Sequence, residues 1–236
     1  MAPLNITAFA EAWTALYAHF NAIGYLPSKS VVYPPFSPAL PLVHDSIDLH
    51  PLILELLPII PHPVSYEVSC SFEVLPNTQA VPYTEHTSLQ LSRDPLKYFL
   101  DGIVDEEYVT KELSAEEVLL TTQLPYGRSL ILNVGTLREY STSEYPPVQE
   151  DKLVVPEDPY DYRNWPQLPA VETVWSYVRK FEGLEWIAFC GDVEGGIIES
   201  FGHESSNESS STSMAGQTRL GGMIGFEREM VYTIDW

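Results

Sequence analysis

The chain has 236 residues, of which 44% are apolar, and it carries 12 Lys and Arg residues against 33 Asp and Glu, for a net charge of -21. The apolar share is enough for a folded core, whereas the cations that nucleic-acid binding needs are scarce, so we expect no nucleic-acid partner. With no apolar run near 18 residues and no basic, apolar leader, we expect a cytoplasmic or nuclear protein that is not secreted and binds no membrane.

The N-terminal half predicts two helices and one long strand. Apolar residues recur at helical spacing over 7–22, and Gly24 follows as a natural stop. A second, short helix is predicted over 50–57, where Pro58 ends it. Over 64–75 apolar and polar residues alternate strictly, which predicts a half-buried strand with one face in solvent.

The C-terminal half predicts further strands and one more long helix. The expected elements are a short helix at 95–100, strands at 118–122, 129–134 and 137–141, a helix at 169–182 and a buried strand at 184–189. The face of the long helix that we expect to be buried carries Val171, Val174, Trp175, Val178 and Phe181. Together these patterns predict an α+β fold with a mixed, mainly antiparallel sheet and helices packed on one face.

The composition changes along the chain and suggests its division. Residues 1–190 are expected to form a single α+β domain. Residues 191–225 are rich in Gly and Ser and contain no cation before Arg219, so we predict a flexible acidic segment. Residues 226–236 alternate again, which predicts a C-terminal edge strand.

A stretch at 44–50 holds the densest group of metal-ligand residue types: His44, Asp45, Asp48 and His50. Such donors suit a divalent cation, so one hypothesis is a metal-dependent hydrolase that uses these four residues. The alternative is that one of them caps the short helix while the histidines face solvent. No nucleophile elbow, P-loop or dinucleotide fingerprint accompanies the group. We therefore favour the alternative and expect no enzyme, no metal and no cofactor.

The candidate partner-binding region is the acidic segment 101–117. Its carboxylates include Asp105, Glu106, Glu107 and Glu112, and its one cation is Lys111. Clustered charge of one sign speeds encounter with an oppositely charged surface, which predicts a basic protein partner. Two alternatives stay open: the acidity serves solubility alone, or the protein binds a small ligand in a pocket between sheet and helices.

Short motifs give the chain a family resemblance. They are the sequence Gly24-Tyr25-Leu26-Pro27 after the first helix, an apolar hairpin with a Gly-Thr turn at 130–136, and the apolar helix at 171–181. In these motifs and in the order of its elements the chain resembles the SUKH superfamily, which includes fungal cell-wall-synthesis regulators and many bacterial toxin-immunity proteins. Through Leu184-Glu185-Trp186 it also resembles a group of uncharacterised filamentous-fungal proteins. The resemblance implies an α+β binding fold, a non-enzymatic protein-interaction module, and assigns no site residue.

Overall fold

A computed structural model describes residues 4–36, 47–83, 86–100, 111–190 and 195–200, all of which belong to one compact unit. The helices of this part are α1 (Ile6–Ala22), α2 (Pro51–Leu56), α3 (Tyr66–Ser71), α4 (His86–Leu91), α5 (Pro95–Phe99) and α6 (Ala170–Glu182). Its strands are β1 (Val31–Val32), β2 (His62–Pro63), β3 (Glu73–Leu75), β4 (Thr78–Ala80), β5 (Glu117–Gln123), β6 (Ser129–Asn133), β7 (Thr136–Tyr140), β8 (Leu168–Pro169), β9 (Trp186–Cys190) and β10 (Gly195–Glu199).

The main sheet has six antiparallel strands in the order β3-β4-β5-β6-β7-β8, which confirms the predicted α+β class. β1 pairs with β2, and β9 pairs with β10, in two small antiparallel sheets. Strands that are neighbours in this sheet are also consecutive in the sequence. Short turns join most of them as hairpins, whereas long connections precede β5 and β8. β5 and β6 are buried along nearly their whole length, so both faces of this sheet are covered.

The two long helices form where the helical spacing predicted them. Asn5 caps α1 by accepting a hydrogen bond from the Ala8 amide at 3.1 Å. The apolar face of α1 packs against α6, and the ring centroids of Phe20 and Phe181 lie 5.0 Å apart with an edge-to-face angle of 84°. Both rings are at most 2% exposed, which for side chains of this size stabilises the fold by roughly 2–3 kcal/mol each. Trp175 packs against the core but is only half-buried, so our expectation that it belongs to the buried face is wrong in degree.

The predicted strand over 64–75 forms only at its end, as β3, and the prediction is wrong for its middle, which forms α3. Ser65 caps this helix by accepting a hydrogen bond from the Val68 amide at 3.3 Å, and the Ser71 hydroxyl donates to the Glu67 carbonyl at 2.8 Å. Serine hydroxyls that bond nearby backbone groups compete with strand pairing, and here the polar positions of the alternation were mostly serines. Val64, expected in the core, is exposed, whereas Ser69 is buried.

A long connector over residues 141–167 covers one face of the main sheet. Neighbouring residues of a strand point to opposite faces, and Glu139 meets Tyr177 of α6 while Tyr140 packs against Tyr162 and Trp165 of the connector. Asn164 holds the connector in shape, since its side chain accepts from the Val155 amide at 2.8 Å and donates to the Asp158 carbonyl at 2.9 Å. The connector therefore covers the Tyr140 side of the sheet, and α6 lies on the Glu139 side.

The last described strands differ from the prediction in two respects. The strand expected to be buried at 184–189 is β9, and apart from Trp186 its residues are exposed or half-buried. A continuous apolar run predicts burial only if both faces of the strand are covered, and here only one face has a neighbour. Residues 195–199, within the predicted flexible segment, form β10. The rest of 191–225 that is not described, and the predicted edge strand at 226–236, lie outside the described residues.

Candidate functional site

Half of the proposed metal cluster lies in the described part of the chain. Asp48 is exposed, and His50 caps α2 by accepting a hydrogen bond from the Leu52 amide on Nδ1 at 3.2 Å. His44 and Asp45 lie outside the described residues. Within the ranges that the structure describes, no group of three or more His, Cys, Asp or Glu side chains is placed to hold a metal ion.

The described carboxylates of the acidic segment 101–117 differ in their exposure to solvent. Asp105, Glu106 and Glu107 lie outside the described residues, and Glu112 is exposed. Glu117, from the same acidic run, is instead buried within the sheet. The charge available to a partner from the described part of this segment therefore comes from Glu112 and Glu116, and not from every acid of the run.

Glu117 is held in a buried polar network. One carboxylate oxygen accepts from Arg138 Nη1 at 2.6 Å, and the other accepts from the Tyr162 hydroxyl at 3.1 Å and the Ser114 hydroxyl at 3.0 Å. Burial alone would raise the pKa of Glu117, but the hydrogen bonds of Ser114 and the charge of Arg138 outweigh it, so the pKa lies below its usual value. The network joins β5 and β7 to the connector, and both carboxylate oxygens of Glu117 take part in it.

The feature that calls for a function is the outer face of the β9–β10 sheet. Trp186 and Ile197 point inward and are buried, with the Trp186 ring stacked on Tyr177 at 5.5 Å. The opposite face, which we call the outer face, consists of Ile187, Phe189 and Ile198, which are 40%, 53% and 53% exposed. Neighbouring apolar side chains that stay in solvent on one small sheet are typical of interaction surfaces.

A groove of about 650 Å³ adjoins this sheet. It lies between the ends of β4, β6 and β7 on one side and the β9–β10 sheet on the other, with α6 between them. Its lining combines aromatic rings and charges: Tyr126, Tyr177, Trp186, Arg128, Lys180, Glu139, Glu144 and Glu199. Volumes of a few hundred to about a thousand Å³ are those of small-molecule and peptide side-chain sites.

The charged groups of the groove already have partners within it, and Arg128 pairs with two of its carboxylates. Arg128 donates to Glu139 and to Glu144, each at 3.0 Å, and Glu139 also accepts from the Tyr177 hydroxyl at 2.6 Å. Lys180 Nζ lies 4.3 Å from the centre of the Trp186 ring. Burial lowers the pKa of Arg128, but the hydrogen bond with Glu139 and the charge of Glu144 raise it more, so its charge is fixed. Burial raises the pKa of Tyr177, which stays a neutral donor.

The rim of the groove is shaped by two turns in close contact. A Cβ on Gly127 would lie 1.7 Å from the Asn77 carbonyl oxygen, so only glycine allows the β5–β6 turn to approach the β3–β4 turn. The preceding Tyr126 has a φ of 69° and is 81% exposed. A non-glycine backbone in the left-handed region costs energy that the rest of the fold has to offset. At Tyr126 this conformation places the aromatic ring in solvent beside the groove.

Sequence reasoning located β9 but missed the outer face. The run Trp186–Cys190 is apolar throughout, so nothing in it distinguishes Ile187 and Phe189 from core residues. A usable signal was the pair of glycines at the start of β10, because Phe189 lies over Gly196: a Cβ there would be 2.7 Å from the ring.

The fold and surface thus define an acidic α+β domain with an exposed apolar two-stranded sheet beside a polar groove. Comparison with protein-family models, with curated proteins and with solved structures finds no match to this chain. No helix within the described ranges is both long and apolar enough to cross a bilayer.

Proposed function

We propose that this protein is a non-enzymatic protein-interaction module of SUKH-like type that binds a basic partner through the outer face of its β9–β10 sheet. The observation that carries the proposal is the joint exposure of Ile187, Phe189 and Ile198 on that face. Burying such side chains on binding stabilises a complex by roughly 25 cal/mol per Å² of apolar surface, before the cost of association.

The charge of the chain selects the kind of partner. A net charge of -21 repels acidic surfaces and attracts cationic ones over about a Debye length. Glu182 and Glu185 are exposed in the residues that lead into β9, so carboxylates border the start of the apolar face. An apolar centre with an acidic rim complements a partner surface with an apolar centre and a basic rim.

Affinity capture with matched variants tests the proposal. The wild type, the double variant Phe189→Ser/Ile198→Ser and the control Val154→Ser are used as bait in extract of the source cells. Val154 is 70% exposed on the connector, so the control removes a comparable apolar side chain from another surface. We expect a basic protein that the wild type and the control retain and the double variant loses. The recombinant pair should then bind more weakly as salt rises, and Glu106→Gln/Glu107→Gln/Glu112→Gln should flatten that dependence.

Two outcomes would contradict the proposal. Retention of the same partners by all three baits would mean that the outer face is not the contact. A partner that is acidic, or whose binding is unchanged by salt, would leave the acidity with no role beyond solubility.

Small-ligand binding in the groove is a second candidate, favoured by its volume of about 650 Å³ and its aromatic wall. Native mass spectrometry of protein purified from its own cells should then show a bound small molecule that Trp186→Ala loses. The metal-dependent hydrolase alternative predicts about one bound ion in elemental analysis, lost in His44→Ala/His50→Ala.

A further inference from the structure

The backbone N–H and C=O groups of successive β10 residues point alternately toward β9 and away from it. Two hydrogen bonds show which residues point which way. The Ser200 amide donates to the Glu185 carbonyl at 2.7 Å, so the backbone groups of residue 200 point toward β9. The Ile197 amide donates away from β9, to Glu73 Oε2 at 2.8 Å. Because backbone direction has a period of two, Ile198 and Gly196 point toward β9, and Ile197 and Glu199 point away from it.

The register transfers this alternation to β9. Ile197 lies opposite Ala188, and Glu199 lies opposite Trp186. Residues opposite each other in an antiparallel pair point both toward each other or both away. The N–H and C=O groups of Trp186 and Ala188 therefore point to the side of β9 that faces away from β10. Across the described ranges, no residue hydrogen-bonds the outward backbone groups of these two residues.

The two edges of this small sheet differ. The β10 edge is held against the main sheet by Glu73 and by a parallel bridge between Gly195 and Phe72. At Trp186 and Ala188 the β9 edge has no such neighbour in the described chain, and the strand sequence, Trp-Ile-Ala-Phe-Cys, lacks the Lys, Pro or inward charge that usually protects a free edge. Phe189 lies over Gly196, on the β10 side, so its ring leaves the β9 edge uncovered.

We propose that an extended basic segment of the partner adds to the free edge of β9 as a strand, hydrogen-bonded to the outward backbone groups of Trp186 and Ala188. The inference rests on the proposed function and specifies its mode of binding. Main-chain hydrogen bonds supply affinity in such additions, and alternate side chains supply specificity. One set of the partner's side chains continues the outer face beside Ile187 and Phe189, so this set is apolar.

The net charge of the chain favours a strand from another protein over a second copy of this chain as the occupant of the edge. Two copies that paired through β9 would bring together two bodies with a net charge of -21 each, and like charges oppose association. A segment that alternates cationic and apolar residues is attracted by the same charge, and Glu185, exposed immediately before β9, lies at the end of the pairing site.

The probe for the test is a short synthetic peptide that alternates lysine and valine, and its control alternates glutamate and valine. The protein variants are Ala188→Pro, which removes one outward amide without breaking a bond to β10, and Ala188→Val, which adds similar bulk and keeps the amide. We expect the lysine peptide to slow hydrogen exchange of the Ala188 amide. Ala188→Pro should weaken its binding at least about tenfold, and Ala188→Val should leave it within about twofold.

A second measurement needs no change in the protein. The lysine peptide is prepared with N-methyl groups either on all lysines or on all valines, which blocks the amides of one edge of the peptide strand and not the other. Strand addition requires that one pattern weakens binding to the wild type much more than the other. Equal effects of the two patterns would overturn it, and so would failure of the wild type to bind the lysine peptide or equal binding of the glutamate peptide.

The outcomes also separate this inference from the proposed function. If Phe189→Ser weakens binding of the peptide while Ala188→Pro and the Ala188 amide are unaffected, the outer face binds but no strand is added. If the affinity capture fails while the peptide protects the Ala188 amide, the edge accepts strands but the outer face is not the contact for a cellular partner.

Discussion

His62 provides a stability prediction whose magnitude follows from its surroundings. The imidazole is 1% exposed, its Nε2 lies 2.7 Å from the Leu57 carbonyl oxygen, and its ring lies against Tyr83 and Phe36. Burial lowers the pKa of His62 from 6.5 to about 4, although the hydrogen bond to Leu57 opposes the shift. The ring is therefore neutral in the folded protein at neutral pH and donates to that carbonyl.

The sign of the pH dependence follows from the lowered pKa. Below pH 6.5 the unfolded chain binds a proton at His62, whereas the folded chain binds it only near pH 4. The stabilisation is present above pH 6.5 and is lost as pH falls toward 4. At 1.36 kcal/mol per pKa unit, the loss from this residue between pH 7.5 and 4.5 is about 2.5 kcal/mol.

Urea denaturation of the wild type and of His62→Gln at both pH values isolates this loss. Glutamine can donate to the Leu57 carbonyl but does not titrate, so carboxylates that titrate in both proteins cancel in the double difference. We expect the wild type to lose about 2.5 kcal/mol more than the variant on acidification. A double difference below about 0.5 kcal/mol would show that the buried imidazole does not resist protonation as its surroundings require.

Three further predictions test the fold. Burial raises the pKa of Glu73 despite its two backbone hydrogen bonds, so the wild type should lose stability relative to Glu73→Gln as pH rises above 4.5; parallel pH profiles would refute this. Arg138→Ala should cost about 3–5 kcal/mol, because Glu117 is left buried without its cation, and the cost should be non-additive with that of Glu117→Ala in a double-mutant cycle by urea denaturation. Phe181→Ala should cost about 3–5 kcal/mol and Trp175→Ala only about 1–2, and equal costs by the same assay would contradict the burial of the two rings.

Much of the fold could be predicted because local patterns and tertiary contacts agree there. The helices α1, α2, α5 and α6 begin and end close to the predicted limits, and β5, β6 and β7 lie where the apolar runs predicted strands. In each case the caps, turns and periodicity favour the same element. The strand prediction for the middle of 64–75 was wrong because two local patterns compete there. The alternation of apolar and polar residues favours a strand, and the serines favour a helix cap.

The candidate site was less predictable, because the exposure of a side chain depends on which residues pack around it, and the local sequence does not show this. Phe189 and Phe181 are both aromatic residues in apolar surroundings, yet one is in solvent and the other is in the core. The groove depends on Arg128, Glu139 and Tyr177, which are far apart in sequence and meet only once the sheet and α6 pack. The acidic charge was visible from the composition, whereas the burial of Glu117 required the pairing of β5 with its neighbours.

The connector over 141–167 has a consequence for anyone who shortens or tags this protein. A loop of this length with little regular structure looks dispensable, but removing it would take Tyr162 and Trp165 from the core and expose to water the buried Arg138, which lies against the Tyr162 ring. Its exposed positions, such as Val154 and Tyr160, are the places to attach a label or insert a tag. A deletion between them would instead remove the backbone groups of Val155 and Asp158 that bond the Asn164 side chain.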